Sequence, residues 1–351
     1  MSPENTNQQS LLAVVAQSGL QPLALGSKAG VVLVTTHGAR VLGIFLPRAG
    51  GNMLWTNPAA LADSTTAEEF LAKGEWNLGG DRSWLSPENE LCFLDAENPS
   101  HENHAVPAVM DPGKYTVTRQ YPNGVVLGAE GTVRNMFSNG EFTFRLTRGI
   151  SLCAPPVKAP DLDYIGYELS SDLVITTPDQ SGAKYGLWQL MQLPAGGTLS
   201  IPLRSAPQPV DYFCTGAASH YRLTDRCLTF PITGDAKHKI GLTAREATGL
   251  MSYFRPVGSD HATLIVRQAA VFPGATYADY PAGQRNRRDI AIQAYNDAGG
   301  LGPFGEMEYH SPAACAENGF HVRDVSRTWC FAGPLARIGD IQRELLDIAT
   351  D

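Results

Sequence analysis

From Tyr115 onward the chain is a succession of short segments rich in β-branched and aromatic residues, and almost none of it keeps a helical period. Residues 115–120, 125–134, 142–152, 164–176, 186–193 and 198–203 read as strands, followed by 239–244, 250–255, 262–271, 289–295, 304–310 and 321–331. Asn123-Gly124 and Asn139-Gly140 fall between strands, and Asn-Gly is a strong hairpin signal because both central residues of that turn need positive φ. Earlier, 31–36 and 40–46, broken at His37-Gly38, read as a further hairpin. Helical signals are few. Residues 10–18 suit a short opening helix. Thr66 stands three residues before Glu69, a capping-box start for a helix over 65–71 that gives Glu69 a structural role. Ile338, Ile341, Leu345 and Ile348 share one helical face, which predicts a closing helix at about 337–349. Many strands, with helices only at the ends and in one insertion, argue against a βαβ design. They predict an all-β fold, a large antiparallel β-sandwich with a few short peripheral helices. The 35 Gly and 24 Pro supply the turns such a fold needs. No repeat, linker or composition break divides the chain, so residues 1–351 are expected to form one domain, preceded by a short N-terminal segment over 1–25.

The formal net charge of -8, with no basic tract beyond Arg285-Asn286-Arg287-Arg288, argues against nucleic acid as a partner. The six cysteines form no CxxC pair, which disfavours structural zinc. Their wide spacing suits buried free thiols, with one or two disulfides as the alternative. The apolar run 11–16 is too short for a signal core and far too short to cross a bilayer. No membrane partner is expected. The chain as written reads as cytoplasmic, or as periplasmic or secreted if a leader has been removed. No GxSxG elbow, Walker loop, HExxH or strand-then-GxGxxG occurs, and no cofactor is expected. Gly299-Gly300-Leu301-Gly302 precedes a strand rather than a helix, so it offers no helix-terminus phosphate site.

Two stretches carry chemistry. In Gly305-Glu306-Met307-Glu308-Tyr309-His310-Ser311-Pro312, strand alternation puts Glu306, Glu308 and His310 on one face, with Met307 and Tyr309 on the other. Two carboxylates and an imidazole in a row need water, a cation, a divalent metal or a sugar's hydroxyls to hold them. A solvent-facing edge strand is the plain reading, and a ligand site the functional one. In the stretch from Trp76 to Glu88, two glycines free the backbone while Trp76 and Trp84 alternate with Asn77, Asp81, Arg82 and Glu88. Indoles stack on the apolar faces of sugars, and amide, carboxylate and guanidinium groups bind their hydroxyl rims. A structural corner with buried indoles, Arg82 pairing internally with Asp81 or Glu88, is the alternative. His220 beside Tyr221, Asp211 beside Tyr212, and Arg255 after Tyr253 are scattered candidates for the same cleft. His101 and His104, flanking Glu102 and Asn103, are a weak metal clip.

Residues 237–334 resemble the C-terminal half of uncharacterised bacterial members of the galactose-mutarotase-like superfamily. The likeness runs through Lys239-Ile240-Gly241-Leu242, Gly249-Leu250-Met251-Ser252-Tyr253, Tyr295-Asn296-Asp297 and the 305–312 stretch, and the segment from Gly79 to Glu88 resembles the Gly-Gly…Trp…Pro-Glu segment of the same group. The resemblance implies a supersandwich with a sugar-binding face. In aldose 1-epimerases of this superfamily a strand carboxylate takes the anomeric hydroxyl proton and a histidine donates to the ring oxygen. The resemblance places that carboxylate at Glu308 or Glu306, with Glu308 favoured as base and Glu306 tuning it. His220 and His310 are the stand-ins for the acid, since the epimerases' histidine segments have no clear counterpart. The expected binding residues are Asp81, Arg82, Trp84, Trp76, Asn77, Glu88 and Arg255, and the expected partner is a carbohydrate. Two other readings stay open. One is glycoside hydrolysis or elimination, for which two carboxylates at i and i+2 on one strand are poorly placed to flank a bond. The other is sugar binding without turnover.

Overall fold

The computed structural model describes residues 7–179 and 181–347. Its strands, in chain order, are β1 (Pro22–Ser27), β2 (Gly30–Thr35), β3 (Arg40–Phe45), β4 (Asp81–Ser86), β5 (Thr116–Tyr121), β6 (Gly124–Arg134), β7 (Glu141–Leu152), β8 (Asp163–Thr177), β9 (Gly186–Pro194), β10 (Gly197–Pro202), β11 (Val210–Asp211), β12 (Arg222–Leu223), β13 (Cys227–Ile232), β14 (His238–Thr243), β15 (Leu250–Val257), β16 (His261–Ala269), β17 (Ile290–Asn296), β18 (Phe304–His310) and β19 (His321–Pro334). The α-helices are α1 (Gln8–Gln17), α2 (Ser64–Ala72), α3 (Glu88–Leu91) and α4 (Leu335–Leu346).

The strands form two antiparallel sheets. The first runs β1-β2-β3-β4-β9-β18-β17-β14-β11, and the second β12-β13-β10-β15-β16-β19-β8-β7-β6-β5. The all-β sandwich expected from the strand pattern is the fold observed. One apolar core lies between the sheets, with Val34, Leu187, Met191, Ile292 and Met307 from the first meeting Leu127, Ile150, Leu169, Leu173 and Ile265 from the second. A smaller cluster joins α1 and α2 to Leu33, Leu42 and Phe45 on the outer side of β2 and β3.

Five strands, β1, β4, β11, β12 and β13, escape the sequence pattern. β4 is buried along its whole length, so it shows no alternation to read, and β11 and β12 are only two residues each. The helix over 64–72 is capped by Asp63, whose side chain accepts from the Thr66 amide at 2.8 Å, rather than by a threonine. An aspartate at the cap position satisfies a free amide as well as a hydroxyl does. The closing helix spans Leu335–Leu346, and Ile348 lies outside the described residues. All six cysteines are free thiols, four of them buried. Among the described residues no helix is long and apolar enough to cross a membrane.

A polar belt crosses the apolar core. Asp81 of β4 is ion-paired with Arg267 of β16 and accepts from the Tyr167 hydroxyl of β8 at 2.5 Å. Arg148 of β7 donates to Gln189 of β9 at 3.0 Å, and Tyr309 of β18 donates to Asp324 of β19 at 2.6 Å. These bonds tie the sheets together in one register, since each partner is fixed to its own strand. Replacing Asp81 with alanine leaves the Arg267 charge buried and unpaired, which costs about 3–5 kcal/mol. Urea unfolding of D81A should show a loss of that order, and an unchanged midpoint would overturn the pairing.

Candidate functional site

The face of the first sheet that points away from the second carries the polar cluster. Antiparallel partners share a face, so the register defines a grid. Trp84 pairs with Trp188, which pairs with His310. Arg82 pairs with Leu190, then Glu308, then Gln293, then Gly241. Gln192 pairs with Glu306, then Tyr295, then Lys239. The alternation expected for 304–310 holds, with Glu306, Glu308 and His310 on this face and Met307 and Tyr309 in the core. The strand is central and buried throughout, not a solvent-facing edge.

The two glutamates are paired crosswise. Arg82 lies level with Glu308 but reaches Glu306 at 3.2 Å, while Lys239 lies level with Glu306 but reaches Glu308 Oε2 at 3.2 Å. Glu308 Oε2 also accepts from the Trp188 indole N–H at 2.7 Å. The guanidinium of Arg82 sits over the rings of Trp76 and Trp84, 5.2 and 4.8 Å from their centroids, and the Lys239 ammonium sits 4.4 Å from the Trp188 centroid. His310 stacks on Trp188 at 5.6 Å between centroids. The Trp84 N–H donates to Asp111 at 2.8 Å, and Asp111 is held in turn by Arg40 at 2.5 Å.

A second layer comes from the loops. Asp279 accepts from the Glu88 amide at 3.1 Å, the Tyr212 hydroxyl at 3.0 Å and Gln293 Nε2 at 2.7 Å. Tyr212 can lie there because residue 241 is glycine, since a Cβ at that position would stand 2.8 Å from Tyr212 Cε2. Gln192 Nε2 donates to Asn77 Oδ1 at 3.1 Å, and Asn77 Nδ2 donates to the Leu301 carbonyl at 3.0 Å. Glu88 Oε2 lies 3.8 Å from Lys239 and its other oxygen 3.6 Å from His104. Side-chain exposure falls from 23% at Glu88 to 5% at Lys239 and 0% at Glu308, so the rim of the site is on the Glu88 side.

After these bonds are made, several buried atoms keep no protein hydrogen-bond partner: Glu308 Oε1, Gln192 Oε1, Gln293 Oε1, Nε and Nη1 of Arg82, and both ring nitrogens of His310. Buried polar groups left unpaired are costly, and these seven stand on the outer face around Glu308, while Arg148 Nε and Nη2, Ser83 Oγ and Ser326 Oγ are unpartnered on the inner face.

Of the expected site residues, Glu306, Glu308, His310, Arg82, Trp84, Trp76, Asn77 and Glu88 are gathered here. Asp81 is not: it alternates with Arg82, points into the core and is consumed by Arg267. His220 lies in a separate group, its Nε2 against the Pro231 carbonyl at 2.9 Å and its ring stacked on His238 at 4.4 Å. Arg255 stands on β15 of the second sheet. Lys239, Trp188, Gln192, Gln293, Asp279, Tyr212 and Asp111 belong to the site without having been singled out as candidates. Strand parity relative to Glu308 identifies the first four only once the pairing register is known. Among the described residues no group of three or more His, Cys, Asp or Glu is arranged to hold a metal.

Burial raises the Glu308 carboxyl to about 8 against the opposing pull of Lys239, with Glu306 adding to the rise. Burial raises Glu306 too, Arg82 opposing, and lowers His310 to about 4, so its ring is neutral near pH 7. Burial alone would lower Lys239, but Glu308, Glu88 and Asp279 outweigh it and hold the ammonium protonated. A folded-state pKa raised above the unfolded value means that the native state binds the extra proton. The Glu308 contribution is therefore full below about 4.5 and is lost as pH rises through about 8. Thermal melts of wild type and Glu308→Gln across that range should show the variant gaining on wild type as pH rises. A constant difference would mean that Glu308 ionises normally.

A family model described as a family of unknown function, DUF6786, matches residues 15–351. No curated protein matches the chain. Among solved structures, a galactose mutarotase-like protein from Lactobacillus casei is similar over 88% of this chain and 100% of its own, at 10% identity and a TM-score of 0.49. A galactose 1-epimerase from Lactobacillus acidophilus is similar over 89% and 94%, at 12% identity and a TM-score of 0.44. An aldose epimerase homologue from C. elegans is similar over 90% and 99%, at 11% identity and a TM-score of 0.45.

Proposed function

The chain belongs to the DUF6786 family, whose function is unknown, and from the site itself we propose that it binds a carbohydrate on the outer face of the first sheet and exchanges protons with the sugar's anomeric centre. The observation that carries this reading is the set of buried, unpartnered polar atoms around Glu308 Oε1. A sugar presents many hydroxyls at fixed spacing, each both donor and acceptor, and so answers a mixed set of this kind. Trp76, the half-buried indole beside Arg82, offers the stacking surface near the rim.

In the proposed reaction Glu308 is the base. Its Oε2 is occupied by Trp188 and Lys239, which leaves Oε1 to take the anomeric hydroxyl proton. A base with a pKa near the working pH is well matched to that transfer. As Glu308 takes that proton the C1–O1 carbonyl forms and the C1–O5 bond breaks; the ring oxygen, hydrogen-bonded by the N–H of the neutral His310 imidazole, takes up a proton from solvent, closure on either face reverses both transfers, and Arg82 Nη1 holds a neighbouring hydroxyl. Sugar binding without turnover is the second reading. One observation favours it: His310, lowered to about 4, is a weak proton donor at neutral pH.

NMR exchange spectroscopy with free aldoses separates the two. Turnover predicts faster interconversion of anomers, rising with pH toward about 8 as Glu308 ionises, and a fall of about 10²–10⁴-fold in Glu308→Gln. Binding seen by thermal shift with no faster interconversion would leave the binding reading. Neither effect with any sugar would overturn both.

A further inference from the structure

The free acceptors of the site are fixed as acceptors. Gln293 gives its Nε2 to Asp279 at 2.7 Å and to the Tyr212 oxygen at 2.6 Å, so its Oε1 faces away from them without a partner. Gln192 gives its Nε2 to Asn77, which leaves its Oε1 free in the same way. Glu308 has Oε2 filled and Oε1 free. In each case the network, not a choice of amide orientation, sets the role. Against these three acceptors stand one guanidinium edge, from Arg82, and the His310 ring.

Charge is biased the same way. Glu308 and Glu88 share one cation, Lys239. Asp279, 1% exposed, has no Lys or Arg within 4 Å among the described residues; its one charge-capable neighbour is His310 at 3.9 Å. Arg82 serves Glu306 and, at 3.7 Å, Asp111, which Arg40 also holds. A hydroxyl brings lone pairs that need donors, whereas an ammonium brings three donors, a positive charge and no acceptor.

We infer that the carbohydrate taken by this face is an amino sugar with a free amine, its ammonium received by Gln293 Oε1 and standing beside the register-paired Glu308 carboxyl, whose Oε1 stays turned to the anomeric hydroxyl. The inference rests on the carbohydrate reading and names its substrate class. An ammonium beside Glu308 favours the ionised carboxylate, so the amine's arrival expels a proton that the free site holds near pH 7.

Calorimetric titration of the full chain at neutral pH, in two buffers of different ionisation enthalpy, tests this with hexosamine, parent hexose, N-acetylhexosamine and uronate. The expected result is at least about tenfold tighter binding of the hexosamine than of the other three, with proton release on hexosamine binding only. Glu308→Gln should abolish the release, and Gln293→Met should reduce the hexosamine preference should the first variant fold poorly. Equal binding of hexose and hexosamine without proton release, or a preference for the uronate, would overturn the amine and leave the carbohydrate reading standing. Failure of all four sugars, with a wider panel also silent, would remove both.

Discussion

Strands β4, β9 and β18 are buried on both faces, and both faces carry polar side chains. That constraint governs the molecule. A strand in the middle of a single-sided sheet can leave its outer residues to water, but here every polar group must find a partner inside. On the inner face the partners come from the second sheet: Asp81 with Arg267, Gln189 with Arg148, Tyr309 with Asp324. On the outer face they come from neighbouring strands and loops. Unpartnered atoms remain on both faces, Arg148 Nε and Nη2, Ser83 Oγ and Ser326 Oγ on the inner one and the group around Glu308 on the outer one. The inner face is thus a fastening and the outer face the one we propose to receive a ligand, made from consecutive residues of the same strands.

The two faces are mechanically linked by this alternation. Arg82 cannot move without Asp81 moving, and Asp81 is fixed across the sandwich. Glu308 is flanked by Met307 in the apolar core and Tyr309 on Asp324. The carboxylate therefore stands on a backbone anchored from behind, while Trp188 and Lys239 fix its outer oxygen from the sides. A carboxyl group held in this way is fixed in place before any partner reaches it, which is the physical content of preorganisation.

Strand periodicity made much of this legible in the sequence. Most strands were marked by their composition and turns, and the parity of Glu306, Glu308 and His310 followed from a period of two. What alternation could not give was position across the sheet. Lys239 looks like one more residue of an apolar strand until β14 is known to sit two strands from β18, and Trp188 lies in a segment buried on both faces that shows no alternation. The same gap explains Asp81. Read as part of a polar, glycine-rich stretch it looked available, but a one-residue step along a strand reverses the face, and Gly79 and Gly80, both at positive φ, release the chain directly into β4. His220 and Arg255 were proposed from neighbours in sequence, and neighbours in sequence say little about which sheet a side chain serves.

The crossed pairing of the glutamates makes them chemically unlike although they stand two residues apart. Glu306 faces a guanidinium that is itself pinned between two indoles and shared with Asp111. Glu308 faces a single ammonium shared with Glu88. A planar guanidinium presents several donors in a fixed fork, whereas an ammonium is a point charge on a flexible stem, so the first carboxylate is held as structure and the second keeps an oxygen in reserve. With burial raising both, the less fully compensated Glu308 is the group whose proton is exchangeable near neutral pH, and the asymmetry that assigns it this role comes from the strands on either side of β18, not from the strand itself.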